Sequence, residues 1–319
     1  MKRKIMGLLC LLLTVFSLTA CVDSSVKDVA VLKIDGQEIM KSEYMVYLHT
    51  TTEGFVTMAG DDVWSMDFDG QTADELVEER TISTIQSVIA AKEYAAANGI
   101  SLTEEQKAAA AAAADQFVQA VSAEDLEKMN VDVKKLQPMM EDSYLYTLVH
   151  QEIAEECDVD AADMEAYYLE NKNQLQTDYT DLTMLSILAE DAETAEEVAE
   201  KAKKGEDFMA LFNAYDADPN GKDGGEMKLH WNYLQTTFGL TDEPEVDDVV
   251  GPFAVGDGWF VLKVTEKAVP SDAEVKELAE ELFRTETQTA YTEARFAEMI
   301  KGQVVEKIKD AWDTLEKFH

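Results

Sequence analysis

Cysteine is too scarce in this chain to build a disulfide framework: three residues in 319. Cys10 falls in an apolar amino-terminal run and Cys21 directly after it. Cys157 then has no partner, so no intramolecular disulfide is expected. Acids on both sides, Glu155, Glu156 and Asp158, disfavour its thiolate and argue against a nucleophile. Histidine is equally sparse. His49, His150, His230 and His319 are far apart and form no metal-ligand pattern, so neither a metal nor another cofactor is expected. Basic residues are outnumbered, 27 against 65 acids, for a net charge of −38. Such a surface repels nucleic acid and anionic headgroups and excludes nucleic-acid binding. It suits basic or unfolded cationic partners, and equally well suits solvated helix faces.

What is present begins with a targeting pattern. Lys2, Arg3 and Lys4 precede the apolar stretch Ile5 to Leu18, and Leu18-Thr19-Ala20-Cys21 matches a bacterial lipobox. Residues 1–20 read as a lipoprotein signal peptide, Cys21 as the lipidation site, and 21–28 as a polar tether. A plain signal peptide is the competing reading. One acyl chain anchors only marginally, and a diacylglyceryl group on Cys21 supplies the second. The expected location is the extracytoplasmic face of the cell membrane, lipid-anchored. Removing the signal takes away three bases and no acids, so the charge becomes −41, and 299 residues remain, enough for two domains.

Val29 to Ile34, the Asp35-Gly36 turn and Gln37 to Met40 give a hairpin signal, and Ser42 is placed to open a helix. From Thr72 to Met164 the pattern is helical. Thr72 to Asn98 is one amphipathic run stopped at Gly99; Thr103 with Gln106 caps the next, whose Lys107 to Asp115 is nearly all alanine. Alanine favours helix but buries little area, so that helix needs neighbours or stays loosely packed. Further helices are expected at Ala123 to Met129, Asp132 to Ala154 and Ala161 to Asn171. Ser271 caps a last long helix, Asp272 to about Gln303.

Between these lies a different pattern. Tyr179 to Leu188 alternates like a half-buried strand, Glu193 to Gly205 is a helix charged in accord with its dipole, and Asp207 to Tyr215 is a shorter one. An acidic Gly-rich loop, Asp216 to Gly225, and a less regular stretch follow. Two strands then flank the Gly256-Asp257-Gly258 turn, Val249 to Ala254 and Trp259 to Val264.

The order and spacing of Leu185-Ser186-Ile187-Leu188, Gly205-Glu206-Asp207-Phe208, Asp218-Pro219, Gly224-Gly225, Gly251-Pro252 and Gly258 to Lys263 resemble a parvulin-type peptidyl-prolyl isomerase domain. With the opening hairpin and helix, and the Tyr167-Tyr168 helix before the first strand, the chain resembles PrsA-type and SurA-type foldases. The resemblance implies an α+β fold: a mainly helical, discontinuous chaperone domain with an inserted, small, parvulin-like α/β domain. The expected boundaries are 29–177 for the helical domain, 178–267 for the insertion, and 268–319 for C-terminal helices folding back onto the first part.

Parvulins carry histidines in the first and last strands; here those places hold Ser186 and Phe260. Asp218 stands where the family has an acid or thiol, and is the candidate catalytic residue. Ser186, Met227, Trp231, Phe238, Trp259 and Phe260 are the candidate substrate-binding residues. Isomerisation must lower a barrier of about 18–20 kcal/mol set by amide resonance, by binding the twisted amide better than the planar one. An apolar pocket can do part of this by desolvation. Asp216 to Asp223 also matches the first half of an EF-hand loop, but Met227 stands where its twelfth-position glutamate belongs, so the stretch reads as a turn. Three functions stay open: a foldase isomerising Xaa-Pro bonds of unfolded secreted proteins, a non-catalytic holdase, and a solute-binding or adhesion lipoprotein.

Overall fold

The computed structural model describes residues 27–218, 221–256 and 258–319. The lipobox, the signal and Cys21 lie outside them. The described chain divides into two units, one formed by residues 27–156 with 291–319 and the other by 157–290.

The first unit opens with β1 (Ala30–Ile34) and β2 (Gln37–Met40), antiparallel strands turned at Asp35 and Gly36, both at positive φ. An Asp-Gly pair supplies that conformation at little cost, as the sequence anticipates. In α1 (Lys41–Ala59) Ser42 lies inside the helix and Met40 is the flanking residue. Ser42 does not cap. Its N–H and hydroxyl both donate to the Asp28 carboxylate, which does the capping from outside. A 3₁₀ turn (Asp61–Ser65) and the two-residue strands β3 (Asp67–Phe68) and β4 (Gln71–Thr72) lead to α2 (Ala73–Asn98). That helix and α3 (Glu104–Ala120) begin with reciprocal capping boxes, Thr72 with Glu75 and Thr103 with Gln106. Next come α4 (Ala123–Met129) and α5 (Val133–Glu155). Leu32, Ile34, Ile39, Tyr44, Met45, Ile85, Met129 and Leu136 form the core.

The second unit begins with α6 (Ala161–Asp178), two turns longer than its sequence pattern suggests. Leu175 packs against Val275 and Ala279, so the extra turns are fixed by tertiary contact. Then follow β5 (Asp181–Ala189), α7 (Ala192–Lys203), α8 (Phe208–Tyr215), β6 (Met227–His230), α9 (Trp231–Phe238), β7 (Val249–Val255), β8 (Gly258–Ala268) and α10 (Asp272–Ile300). The sheet order is β6-β5-β8-β7 and every pairing is antiparallel. The less regular stretch after the loop is in fact β6 and α9. Ser271 and Glu274 form the capping pair at the start of α10, as expected. Residues 272–290 belong to this unit, and only the last turns of α10 belong with the amino-terminal elements. There, the chain beyond the helix is not wholly helical: β9 (Val305–Lys307) adds a third strand beside β1, before the short α11 (Lys309–Trp312).

Both faces of the four-stranded sheet are covered. Ile187, Ala189 and Val261 pack with Val198, Phe208 and Leu211 under α7 and α8. Leu182, Met184, Leu262 and Val264 pack with Trp231 and Leu234 of α9 on the other side.

Candidate functional site

Strand parity decides which candidate residues can meet. Side chains on a strand alternate between faces, and residues directly opposite across a ladder share one. Ser186 lies opposite Leu262, Leu188 opposite Phe260, and Phe260 opposite Phe253. Ser186 and Phe260 therefore point to the α9 side, together with Met227, which pairs with Met184. Phe238, the last residue of α9, stacks on Phe253 with ring centroids 4.5 Å apart and planes at 28°. Tyr233, 47 % exposed, meets Phe238 edge-on at 6.0 Å. Met227, Phe238, Phe253 and Phe260 are each half-buried. Together they make an apolar face accessible from solvent.

Two candidates are elsewhere. Trp259 lies opposite Ala189 and packs with the α7 and α8 cluster, on the far face from Phe260. Adjacent strand residues cannot share a face, so it is not part of this surface. Trp231 is only 2 % exposed and is core beneath α9. Phe253 and Tyr233, which are not among the sequence candidates, lie on this face beside Phe238 and Phe260. Phe253 was legible in principle: parity with Phe260 across the hairpin places it there.

Beyond β6, Asp216, Ala217, Gly224 and Gly225 lie along the edge of β5. Ala217 N–H donates to Leu188 O at 2.8 Å, and Leu188 N–H donates to Asp216 Oδ1 at 2.9 Å. Ser186 N–H donates to Gly224 O at 3.0 Å. The loop thus completes the edge where the ladder stops. Asp216 carries that job. Asp218 is exposed, and its carbonyl accepts the Gly221 N–H.

Ser186, only 6 % exposed, donates its hydroxyl to Gly225 O at 2.8 Å. That hydroxyl is committed to holding the loop. None of the side chains gathered on this face, Ser186, Met227, Tyr233, Phe238, Phe253 and Phe260, is an imidazole, carboxyl or thiol. Its chemistry is that of an apolar platform that can take a proline ring or an aromatic side chain and strip water from the adjoining amide. Among the described residues no cluster of histidine, cysteine and acid is arranged to hold a metal.

Residues 159–277 match the family model of the PPIC-type PPIase domain. No curated protein matches the chain. Among solved structures, the foldase protein PrsA of Streptococcus pneumoniae is 19 % identical, over 74 % of this chain and 92 % of that one, with a TM-score of 0.42. A structure from Campylobacter jejuni, in a study of the SurA-like chaperones PEB4 and Cj1289, is 13 % identical over 88 % and 99 %, with a TM-score of 0.36. PrsA of Bacillus subtilis is 19 % identical over 89 % and 98 %, with a TM-score of 0.29. With strand, helix, helix, loop and closing hairpin in the family's order, residues 159–277 are a PPIC-type, that is parvulin-type, peptidyl-prolyl isomerase domain.

Proposed function

We propose that this protein is an extracytoplasmic folding factor that holds Xaa-Pro segments of unfolded secreted proteins on the α9 face of its isomerase-type domain. In this reading it binds prolyl segments without accelerating their isomerisation appreciably. The observation that carries it is the composition of that face: half-buried Met227, Phe238, Phe253 and Phe260 around a Ser186 hydroxyl already donated to Gly225. Apolar area and aromatic rings give affinity for proline and its neighbours. Selective binding of the twisted amide needs polar groups aimed at the nitrogen or the carbonyl, and this face lacks the histidine pair that would supply them. Attachment is assigned to a diacylglyceryl group at Cys21, on the lipobox sequence Leu18-Thr19-Ala20-Cys21.

Exchange spectroscopy on an Ala-Phe-Pro-Phe peptide tests this. Adding the intact protein is expected to shift and broaden the peptide signals while cis and trans exchange stays near the uncatalysed rate. Phe238→Ala is expected to weaken binding on the order of tenfold, the cost of removing one well-packed aromatic anchor. Catalysed exchange by the unaltered protein, lost in Phe238→Ala or Asp218→Ala, would establish a working isomerase instead. Absence of both binding and suppression of aggregation would remove the folding-factor reading.

A further inference from the structure

β7 is an outer strand of the four-stranded sheet, so one of its edges has no strand beside it. The ladder on its other side decides which backbone groups face that way. Val264 N–H donates to Asp248 O at 3.0 Å, and Val264 O accepts the Asp247 N–H at 2.9 Å. Val264 therefore aims its backbone groups toward the β7 side, and so, two residues at a time along β8, do Leu262, Phe260 and Gly258. Phe253 and Val255 lie opposite Phe260 and Gly258, and their N–H and C=O groups are engaged with β8. Ala254, opposite Trp259, has both of its groups aimed outward. It is also exposed.

The free stretch is short. The register shifts between Val250 and Phe253, and Pro252 has no N–H to offer. A bulge and a proline protect an edge from indiscriminate pairing. Between Pro252 and the turn, Ala254 is the residue that can both donate and accept.

Parity fixes what an added strand would place where. Phe253 lies on the α9 face, stacked with Phe238 at 4.5 Å between centroids, and Ala254 points to the opposite face. In an antiparallel strand laid beside β7, the residue opposite Ala254 exchanges both hydrogen bonds with it. The next residue stands opposite Phe253, with its side chain on the α9 face and its nitrogen turned away from β7. Pairs of this second kind approach to about 4.5 Å between Cα atoms. Proline fits that position without penalty: it has no N–H to lose there, and its ring falls against Phe253 and Phe238. The residue before a proline is already biased toward extended backbone, which suits the place opposite Ala254.

We infer that an Xaa-Pro segment docks as a fifth, antiparallel strand at the edge of β7, with Xaa opposite Ala254 and Pro opposite Phe253. The inference rests on the prolyl-platform reading above and deepens it, adding backbone contacts, a register and a direction. It selects the trans isomer, because a cis Xaa-Pro bond turns the chain and breaks the pairing. It also disfavours proline at Xaa, which lacks the donor that Ala254 O requires.

Titration of the isotope-labelled intact protein with Ala-Phe-Pro-Phe tests it, beside the same peptide with an ester oxygen in place of the Phe N–H before proline. The parent peptide is expected to protect the Ala254 amide from hydrogen exchange and to bind as the trans isomer, leaving its cis signals unshifted. The ester is expected to bind on the order of tenfold more weakly, since one backbone hydrogen bond is lost and Ala254 O is left unpaired. Ala254→Pro removes the donor on the protein side and is expected to weaken the parent peptide similarly, with exchange of the β8 amides unchanged. The ester comparison uses the unaltered protein, so it decides the matter even where that variant is poorly folded. Equal affinity for parent and ester, or cis bound as well as trans, would overturn the strand pairing. The platform reading would then stand if Phe238→Ala still weakened binding. Binding of neither peptide would be failure of the platform reading, and this inference would fall with it.

Discussion

Gly225 and Ser186 form the tightest contact at the platform. Gly225 has φ of +61°, and a Cβ built there would lie 2.4 Å from Ser186 Oγ and 2.5 Å from its carbonyl oxygen. Positive φ and close approach both require glycine here. Gly225→Ala is expected to destabilise the second unit by about 2 kcal/mol or more, read as faster hydrogen exchange of the β5 amides. Exchange unchanged from the parent protein would mean the loop yields freely, and the account of Ser186 as its anchor would fail. The same closeness bears on histidine. Sequence alignment suggests that Ser186→His with Phe260→His would simply rebuild a parvulin pair. The buried serine, pinned under Gly225, leaves no room for an imidazole, and overpacking of this kind costs about 1–3 kcal/mol. The double variant is expected to melt earlier and to gain no isomerisation; rate acceleration in a stably folded double variant would refute this. Asp218 illustrates what a motif match cannot resolve. It and Asp216 are two residues apart in the same acidic loop, and only the path of the backbone makes Asp216 the partner of Leu188 N–H.

At the scale of elements, the alanine-rich α3 is the informative case. Its sequence predicts a helix that buries little, yet Ala110 and Ala114 are fully buried. Small side chains let the backbone of α3 come close to its neighbours, and the packing density comes from that proximity. Ala114→Leu is accordingly expected to destabilise the first unit by about 1–3 kcal/mol even though leucine is also a good helix former. A rise in stability would mean that a cavity, and not a contact, lies beside Ala114. Where signals are local, sequence and structure agree: the Asp35-Gly36 turn and the capping boxes at Thr72 and Thr103 are each written within four residues. Where the determinant is distant, they part. β6 has four residues and α9 eight with no side-chain cap, so both depend on β5 and the core beneath them. The pairing of β9 with β1 joins residues about 270 positions apart, which no local pattern encodes. The platform was legible through parity for Ser186 and Phe260. Placing Trp259 with them ignored the same rule.

For the whole molecule, the excess of 65 acids over 27 bases cannot be neutralised internally. Ion pairs such as Lys204 with Glu200 and Lys301 with Glu298 are exposed and contribute little each. Titration near neutrality is governed by few groups, because carboxylates protonate far lower, near pH 4. His49 is one of them. It is 8 % exposed, edge-on to Phe318 at 4.9 Å and to Phe117 at 6.0 Å. Burial lowers its pKa, outweighing the opposite pull of Glu53 and Asp125. The folded state therefore binds fewer protons than the unfolded one between the lowered pKa and the ordinary value of about 6.5. Stability of the first unit rises with pH through that window and is lost as the pH falls through it. Hydrogen exchange of the α1 amides, at fixed ionic strength from pH 7.5 to 5.5 and corrected for intrinsic rates, is expected to report a progressive loss of protection. His49→Gln is expected to flatten the profile, at some cost in stability at pH 7.5 because a polar amide replaces a ring packed between two phenylalanines. A parent profile as flat as the variant's would mean that Glu53 and Asp125 compensate burial fully. In that case protonating His49 leaves its packing between the two rings undisturbed, and the acid sensitivity of this unit must arise from its carboxylates.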